Sequence, residues 1–69
     1  MAKAKIRNQV RRLREERGLT QSALARASGC TRQTIIMLEQ ERYVPSLSLA
    51  FAIARNLDAA LEEVFQPGA

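Results

Sequence analysis

The sequence predicts a compact all-α domain of five helices, and three observations carry that expectation. Apolar side chains recur at intervals of three and four residues along much of the chain. Gly18 and Gly29 interrupt those runs where helices would stop, and Thr20, Thr31 and Ser46 stand just before new runs begin. No stretch alternates apolar and polar residues for long enough to compete as a strand.

The first helix is expected from about Lys5 to Arg17, stopped by Gly18, with Val10 and Leu13 turned to the core. The second runs from Gln21 to Ser28 behind Thr20, whose hydroxyl can accept a hydrogen bond from an unpaired N–H of the first turn. Leu24 and Ala25 lie one turn into it and face a crossing helix, which the small Ala25 side chain lets approach closely. Gly29 falls where the chain must reverse, in a position suited to a left-handed backbone. The third helix is expected from Arg32 to Glu41 behind Thr31, with Ile35 and Leu38 on the face that covers Leu24. Leu19 with Leu24, and Cys30 with Ile35, form hydrophobic staples around the two threonine caps, so Cys30 is expected to be a buried apolar residue and not a reactive thiol.

Arg42 to Pro45 reads as a loop. Ser46 caps a fourth helix reaching about Asn56, on which Leu47, Ala50, Ile53, Ala54 and Leu57 recur at helical spacing. Asp58 is expected to cap a short fifth helix ending near Phe65, and Pro67, Gly68 and Ala69 to fray, leaving an ordered core of about residues 5–66.

With 69 residues, the chain is expected to form a single domain close to the smallest that a hydrophobic core can hold together unaided. It has no His and one Cys, so a zinc site, a Cys-His nucleophile pair and an internal disulfide cannot be assembled, and neither an enzyme nor a cofactor is expected. No apolar run approaches the roughly 20 residues that span a bilayer, and no signal pattern precedes the first helix, so a cytoplasmic location is expected.

Charge is spread unevenly. Residues 1–17, 18–42 and 43–69 carry net +5, +1 and −2 within a total of +4. A basic amino end on so small a domain suits a polyanion such as duplex DNA, although a solvated helix face would look the same in isolation. Membrane-surface binding is a poorer fit, since that helix commits Val10 and Leu13 to the core and offers no bulky aromatic face to lipid. The stretch Gln21–Leu38, QSALARASGCTRQTIIML, has the spacing of two helices joined by a tight turn, and together with the charge it reads as a DNA-binding helix-turn-helix.

The segments IRNQVRRLREERGLTQSALA, GCTRQTI, LEQERYVPSL and LDAALEEVF resemble those of XRE-type regulators, the helix-turn-helix family of phage repressors and Cro proteins, over nearly all of Ile6 to Phe65. The run RQTI, a following Glu, a basic-Tyr pair and PSL are similar to a subgroup of minimal regulators made of this domain alone. The resemblance implies a lambda-repressor-like fold with the helix-turn-helix at the second and third helices. It also implies a third helix inserted in the major groove, with Arg32, Gln33, Ile36 and Met37 reading bases. Arg32 suits the O6 and N7 acceptors of guanine and Gln33 the N7 and N6 of adenine, each good pair discriminating by roughly 1–3 kcal/mol. For Ile36 a thymine methyl and a neighbouring helix are both open partners, and Met37 can equally be a gap filler.

Phosphate contacts are implied for Gln21, Thr31, Thr34, Gln40, Arg42 and Tyr43. Arg14 resembles the family's first-helix arginine, which pairs with the glutamate near the end of the third helix, here Glu39, and is thereby turned towards a phosphate. Gln40-Glu41 departs from the Asn-Gly often found there, which predicts a longer exit from the third helix. One recognition helix covers too few base pairs to mark a genomic site, so a homodimer on an inverted repeat is expected, its interface drawn from Leu57, Leu61, Val64 and Phe65. Repression of transcription follows from the resemblance. A protein-interaction module, as in an antitoxin with a toxin partner or an adaptor, and an architectural DNA-binding protein are the alternatives left open.

Overall fold

The computed structural model describes residues 5–68. Its elements are β1 (Ile6–Asn8), α1 (Val10–Glu16), α2 (Gln21–Ser28), α3 (Arg32–Glu39), α4 (Leu47–Asn56), α5 (Leu61–Val64) and β2 (Phe65–Pro67). The domain is therefore mostly helical, with the five expected helices, but it is not purely α. The strands pair antiparallel with Ile6 opposite Pro67, Arg7 opposite Gln66 and Asn8 opposite Phe65.

That small sheet shortens the first helix, which begins at Val10 and not at Lys5. Asn8 explains the late start. Its side-chain Oδ1 accepts the Val10 N–H at 3.1 Å, and the neighbouring Gln9 N–H donates to the Val64 carbonyl at 2.8 Å. A short polar side chain that bonds the nearby backbone competes with helix formation at its own position. The carboxyl end, expected to fray, is instead tied back: the Gly68 N–H donates to the Lys5 carbonyl at 2.6 Å. Ala69 lies outside the described residues.

Thr20, Thr31 and Ser46 sit in extended conformation, and their hydroxyls accept the N–H groups of Ala23, Thr34 and Leu49. Caps of this kind contribute about 1 kcal/mol each. Helix ends share a second device. After α2, Gly29 takes φ 77°, while the Cys30 N–H reaches the Ala25 carbonyl and the Gly29 N–H that of Arg26. This is a Schellman closure, and α1 ends in the same way at Gly18. Two further closures use residues other than glycine. Glu41 holds φ 61° after α3, where the Arg42 N–H bonds the Met37 carbonyl and the Glu41 N–H that of Leu38. Asp58 holds φ 52° after α4, with the Ala59 N–H on the Ala54 carbonyl.

Two expected boundaries are corrected by those closures. The third helix ends at Glu39, because the left-handed Glu41 terminates it instead of extending it. Asp58 closes α4 and does not cap α5, which starts behind Ala60, whose N–H donates to the Glu63 carboxylate at 2.9 Å.

Val10, Leu13, Leu24, Ala25, Ile35, Leu38, Ile53, Ala54, Leu57 and Val64 form one buried cluster, with Leu19 and Cys30 packed at its edge. Cys30 is half-buried, and desolvation raises its thiol pKa above the ordinary value. Two of the four residues expected at a dimer surface, Leu57 and Val64, have no exposed area. A chain this small needs them for its own core, so they leave the interface set, while Leu61 and Phe65 stay half-buried at its edge.

Candidate nucleic-acid interface

The surface that carries Arg14, Gln21, Ile36 and Gln40 among the expected contact residues is built around Glu39, the last residue of α3. Arg14 on α1 approaches it side-on, with Nε 2.6 Å from Oε2 and Nη2 3.3 Å from Oε1. The same guanidinium donates through Nη1 to the Leu19 carbonyl at 2.8 Å, in the segment leading into α2. Gln21, the first residue of α2, donates through Nε2 to Glu39 Oε1 at 3.1 Å. One carboxylate thus joins three helices.

Its environment shields the arrangement from solvent. The Arg14 and Glu39 side chains keep 11% and 5% of their surface exposed, so the pair is removed from most of the solvent screening that weakens ion pairs at the surface. Glu39 hydrogen bonding and charge raise the Arg14 pKa against an opposing desolvation effect, and the guanidinium stays charged at every physiological pH. Three of the five N–H groups of an arginine are used inside the protein here, which makes Arg14 first a support for Glu39 and Gln21.

Beside this network a cleft of about 470 Å³ is lined by Arg11, Arg14, Thr20, Gln21, Ile36, Glu39 and Gln40. Ile36 therefore borders a polar cleft, half-buried, and does not lie fully inside a helix contact. Arg32 and Gln33, in the first turn of α3, are exposed, and Met37 is half-buried. Thr31 and Thr34 are joined at that end of the helix, their hydroxyls 2.9 Å apart and the Thr34 N–H on Thr31 Oγ1 at 3.2 Å. Gln40, Arg42 and Tyr43 are all exposed beyond the other end. The expected residues thus fall at both ends of one helix and along the cleft between.

Sequence reasoning missed two participants. Arg11 lines the cleft and also reaches Glu15 at 3.3 Å as an exposed pair, a spacing of four that was visible but pointed only to helix stability. Asn8 donates through Nδ2 to the Leu38 carbonyl at 2.8 Å, and its N–H donates to the Glu41 carboxylate at 3.2 Å. Nothing in the sequence marks that contact, which depends on a strand pairing almost the whole chain apart.

Comparison with known proteins agrees with this geometry. The Helix-turn-helix family model matches residues 10–64. The chain belongs to that family. A helix-turn-helix (HTH) transcriptional regulator of Methanothermobacter thermautotrophicus, itself uncharacterised, is 52% identical over 61 residues, covering 87% of this chain and 88% of the relative. A second, of Archaeoglobus fulgidus, is 43% identical over 60 residues, covering 87% and 86%. Among solved structures, the restriction-modification controller protein C.AhdI of Aeromonas hydrophila superposes with a TM-score of 0.74 at 33% identity over 78% of each chain. A hypothetical transcription factor, NHTF, from Neisseria gives 0.75 at 29% identity, over 84% of this chain and 67% of that one. This HTH protein is an XRE-type transcriptional regulator with a DNA-binding domain, as the resemblance implied, and it is no enzyme.

Proposed function

We propose that this regulator represses transcription by binding, as a homodimer, an operator with inverted symmetry, using α2 and α3 as the helix-turn-helix and placing α3 in the major groove. The observation that carries the reading is the coincidence of exposed hydrogen-bonding side chains on the first turn of α3, Arg32 and Gln33, with a solvent-shielded network at its other end that ties the helix to α1 and α2. A recognition helix needs both, because base discrimination depends on donor and acceptor positions held to within a fraction of an ångström.

In this reading Arg32 and Gln33 read base edges, and Ile36 meets a thymine methyl from the wall of the cleft, with Met37 beside it. Gln21, Thr31, Thr34, Gln40, Arg42 and Tyr43 fix the register on phosphates. Gln21 has a particular advantage, since it stands on the first turn of α2, where free N–H groups and the helix dipole favour an anion. Arg14 acts chiefly by holding Glu39, which in turn holds Gln21.

Selection from a random duplex library at about 150 mM salt, close to physiological screening, tests the proposal. The expected product is an inverted repeat whose half-sites are centred about one helical turn apart, roughly 34 Å. Retention of DNA without enrichment would replace it with architectural binding, and absence of retention with a protein-interaction role.

A further inference from the structure

Arg11 is shared by two clefts on the α1 surface. One, of about 410 Å³, is lined in part by Asn8, Arg12, Glu15 and Glu16, and the other is the cleft of about 470 Å³ that holds Gln21 and Ile36. The two arginines of the first cleft are held differently. Arg12 donates through Nε to Gln9 at 3.3 Å and through Nη1 to Glu16 at 3.0 Å, whereas Arg11 makes a single bond, from Nε to Glu15 at 3.3 Å. Both Nη groups of Arg11 are without a hydrogen-bond partner among the described residues, and 72% of its side chain is exposed.

On the second cleft Arg11 is the one ionised side chain that stands in solvent. Arg14 and Glu39 are nearly enclosed and paired with each other, and the other lining residues are uncharged. The net positive charge of that cleft therefore rests on Arg11. A guanidinium with both Nη groups free presents the planar fork that bridges two oxygens of one phosphate. The bond to Glu15 is a weak obstacle, because exposed ion pairs four residues apart on a helix contribute little, and a phosphate can displace the carboxylate at small cost.

We propose that Arg11 is a further DNA-binding residue, which leaves Glu15 for a backbone phosphate when the cleft meets duplex DNA, so that Glu15 is its competitor in the free protein. The proposal rests on the DNA-binding reading above and adds to it a contact on α1 that carries charge but no base discrimination. It also divides the work of two arginines on one face of α1. Arg14 spends three N–H groups inside the protein and holds Glu39, while Arg11, three residues earlier, supplies the charge.

The test is binding of the full chain to two labelled duplex pools, one of random sequence and one recovered from it by selection, between about 50 and 200 mM salt. Arg11→Gln is expected to reduce the steepness of the log–log salt dependence by about 0.9 for each bound copy. It should weaken both pools by the same factor, about fivefold per copy near the middle of that range. Arg11→Lys keeps a point charge and loses the fork, so it should keep the wild-type slope and lose less affinity. Glu15→Gln should tighten both pools by about two- to threefold. Circular-dichroism melts of the three variants should stay within the small scatter of exposed substitutions, which separates these changes from unfolding.

An unchanged slope for Arg11→Gln, or a slope for Arg11→Lys that falls as far as that of Arg11→Gln, would overturn the phosphate contact. Weaker binding by Glu15→Gln would overturn the competition and make Glu15 a support for Arg11. A wild type that binds both pools equally would sink the sequence-specific reading alone, since the slopes still decide Arg11, whereas a wild type that binds neither pool would overturn both.

Discussion

The backbone N–H of Asn8 donates to the carboxylate of Glu41 at 3.2 Å, and Glu41 is the residue whose left-handed backbone closes α3. The contact joins β1 to the exit of α3 across 33 positions of sequence. It sits beside a stronger one, in which the Asn8 side chain donates to the partly buried Leu38 carbonyl while accepting the Val10 N–H. Asn8 thereby starts one helix and secures the end of another.

Removing that side chain should be costly in proportion. Asn8→Ala loses the start of α1 and leaves the Leu38 carbonyl without its side-chain partner, an expected loss of about 2 kcal/mol. Urea unfolding followed by circular dichroism measures it, and a change within the scatter of surface substitutions would show that water replaces Asn8 without penalty.

Glu41→Gly tests the balance at the other residue. A left-handed conformation costs a non-glycine residue of order 1–2 kcal/mol, whereas the exposed hydrogen bond to Asn8 returns less than that. The expected outcome is a gain of about 0.5–1 kcal/mol for Glu41→Gly and a loss for Glu41→Ala, which keeps the strain and gives up the bond. Thermal unfolding of the two variants checks the opposite signs.

The Arg14–Glu39 pair should behave as a buried pair. Arg14→Ala alone leaves Glu39 nearly enclosed with only Gln21 as a partner, and about 3 kcal/mol of stability is expected to go. The double variant Arg14→Met/Glu39→Leu should recover most of it, because no uncompensated charge remains inside. It should nevertheless bind DNA worse than its stability implies, since Gln21 loses its anchor. A double-mutant cycle completed with the single variants Arg14→Met and Glu39→Leu, read once by unfolding and once by DNA affinity, separates the two effects.

Cys30 offers a chemical check on packing at the turn between α2 and α3. Burial raises its thiol pKa, so at a given pH less of it is thiolate, the reactive form. Labelling by a maleimide near pH 8 is expected to be slower than that of a small free thiol and to reach the small-thiol rate on unfolding. Equal rates in the folded protein would mean that the Cys30 edge of the core opens readily.

The helical core was legible because its signals are local. Thr20, Thr31 and Ser46 cap the helices that their positions announced, and Leu24, Ile35 and Leu38 meet at helical spacing. The sheet was not legible, since three residues at each end carry no alternation of useful length and pair with each other across nearly the whole chain. Glu41 and Asp58 escaped for another reason: closures of this kind are read from glycine, and here two exposed acidic residues take the left-handed conformation instead. The exposure of Leu47 escaped because helical spacing describes that residue as readily for a core as for a surface, and only the described fold shows that it is left outside.

Base reading by Arg32 and Gln33 on α3 is tested most directly by comparing affinities for the selected operator and a scrambled duplex at one salt concentration. Arg32→Ala and Gln33→Ala are each expected to reduce the operator's advantage by about 1–3 kcal/mol while leaving scrambled-duplex binding nearly unchanged for Gln33→Ala and modestly weakened for Arg32→Ala, which removes a charge. Both side chains are exposed, so folding stability should not move. An operator preference that survives both substitutions would contradict base reading by α3 and assign sequence recognition to another surface.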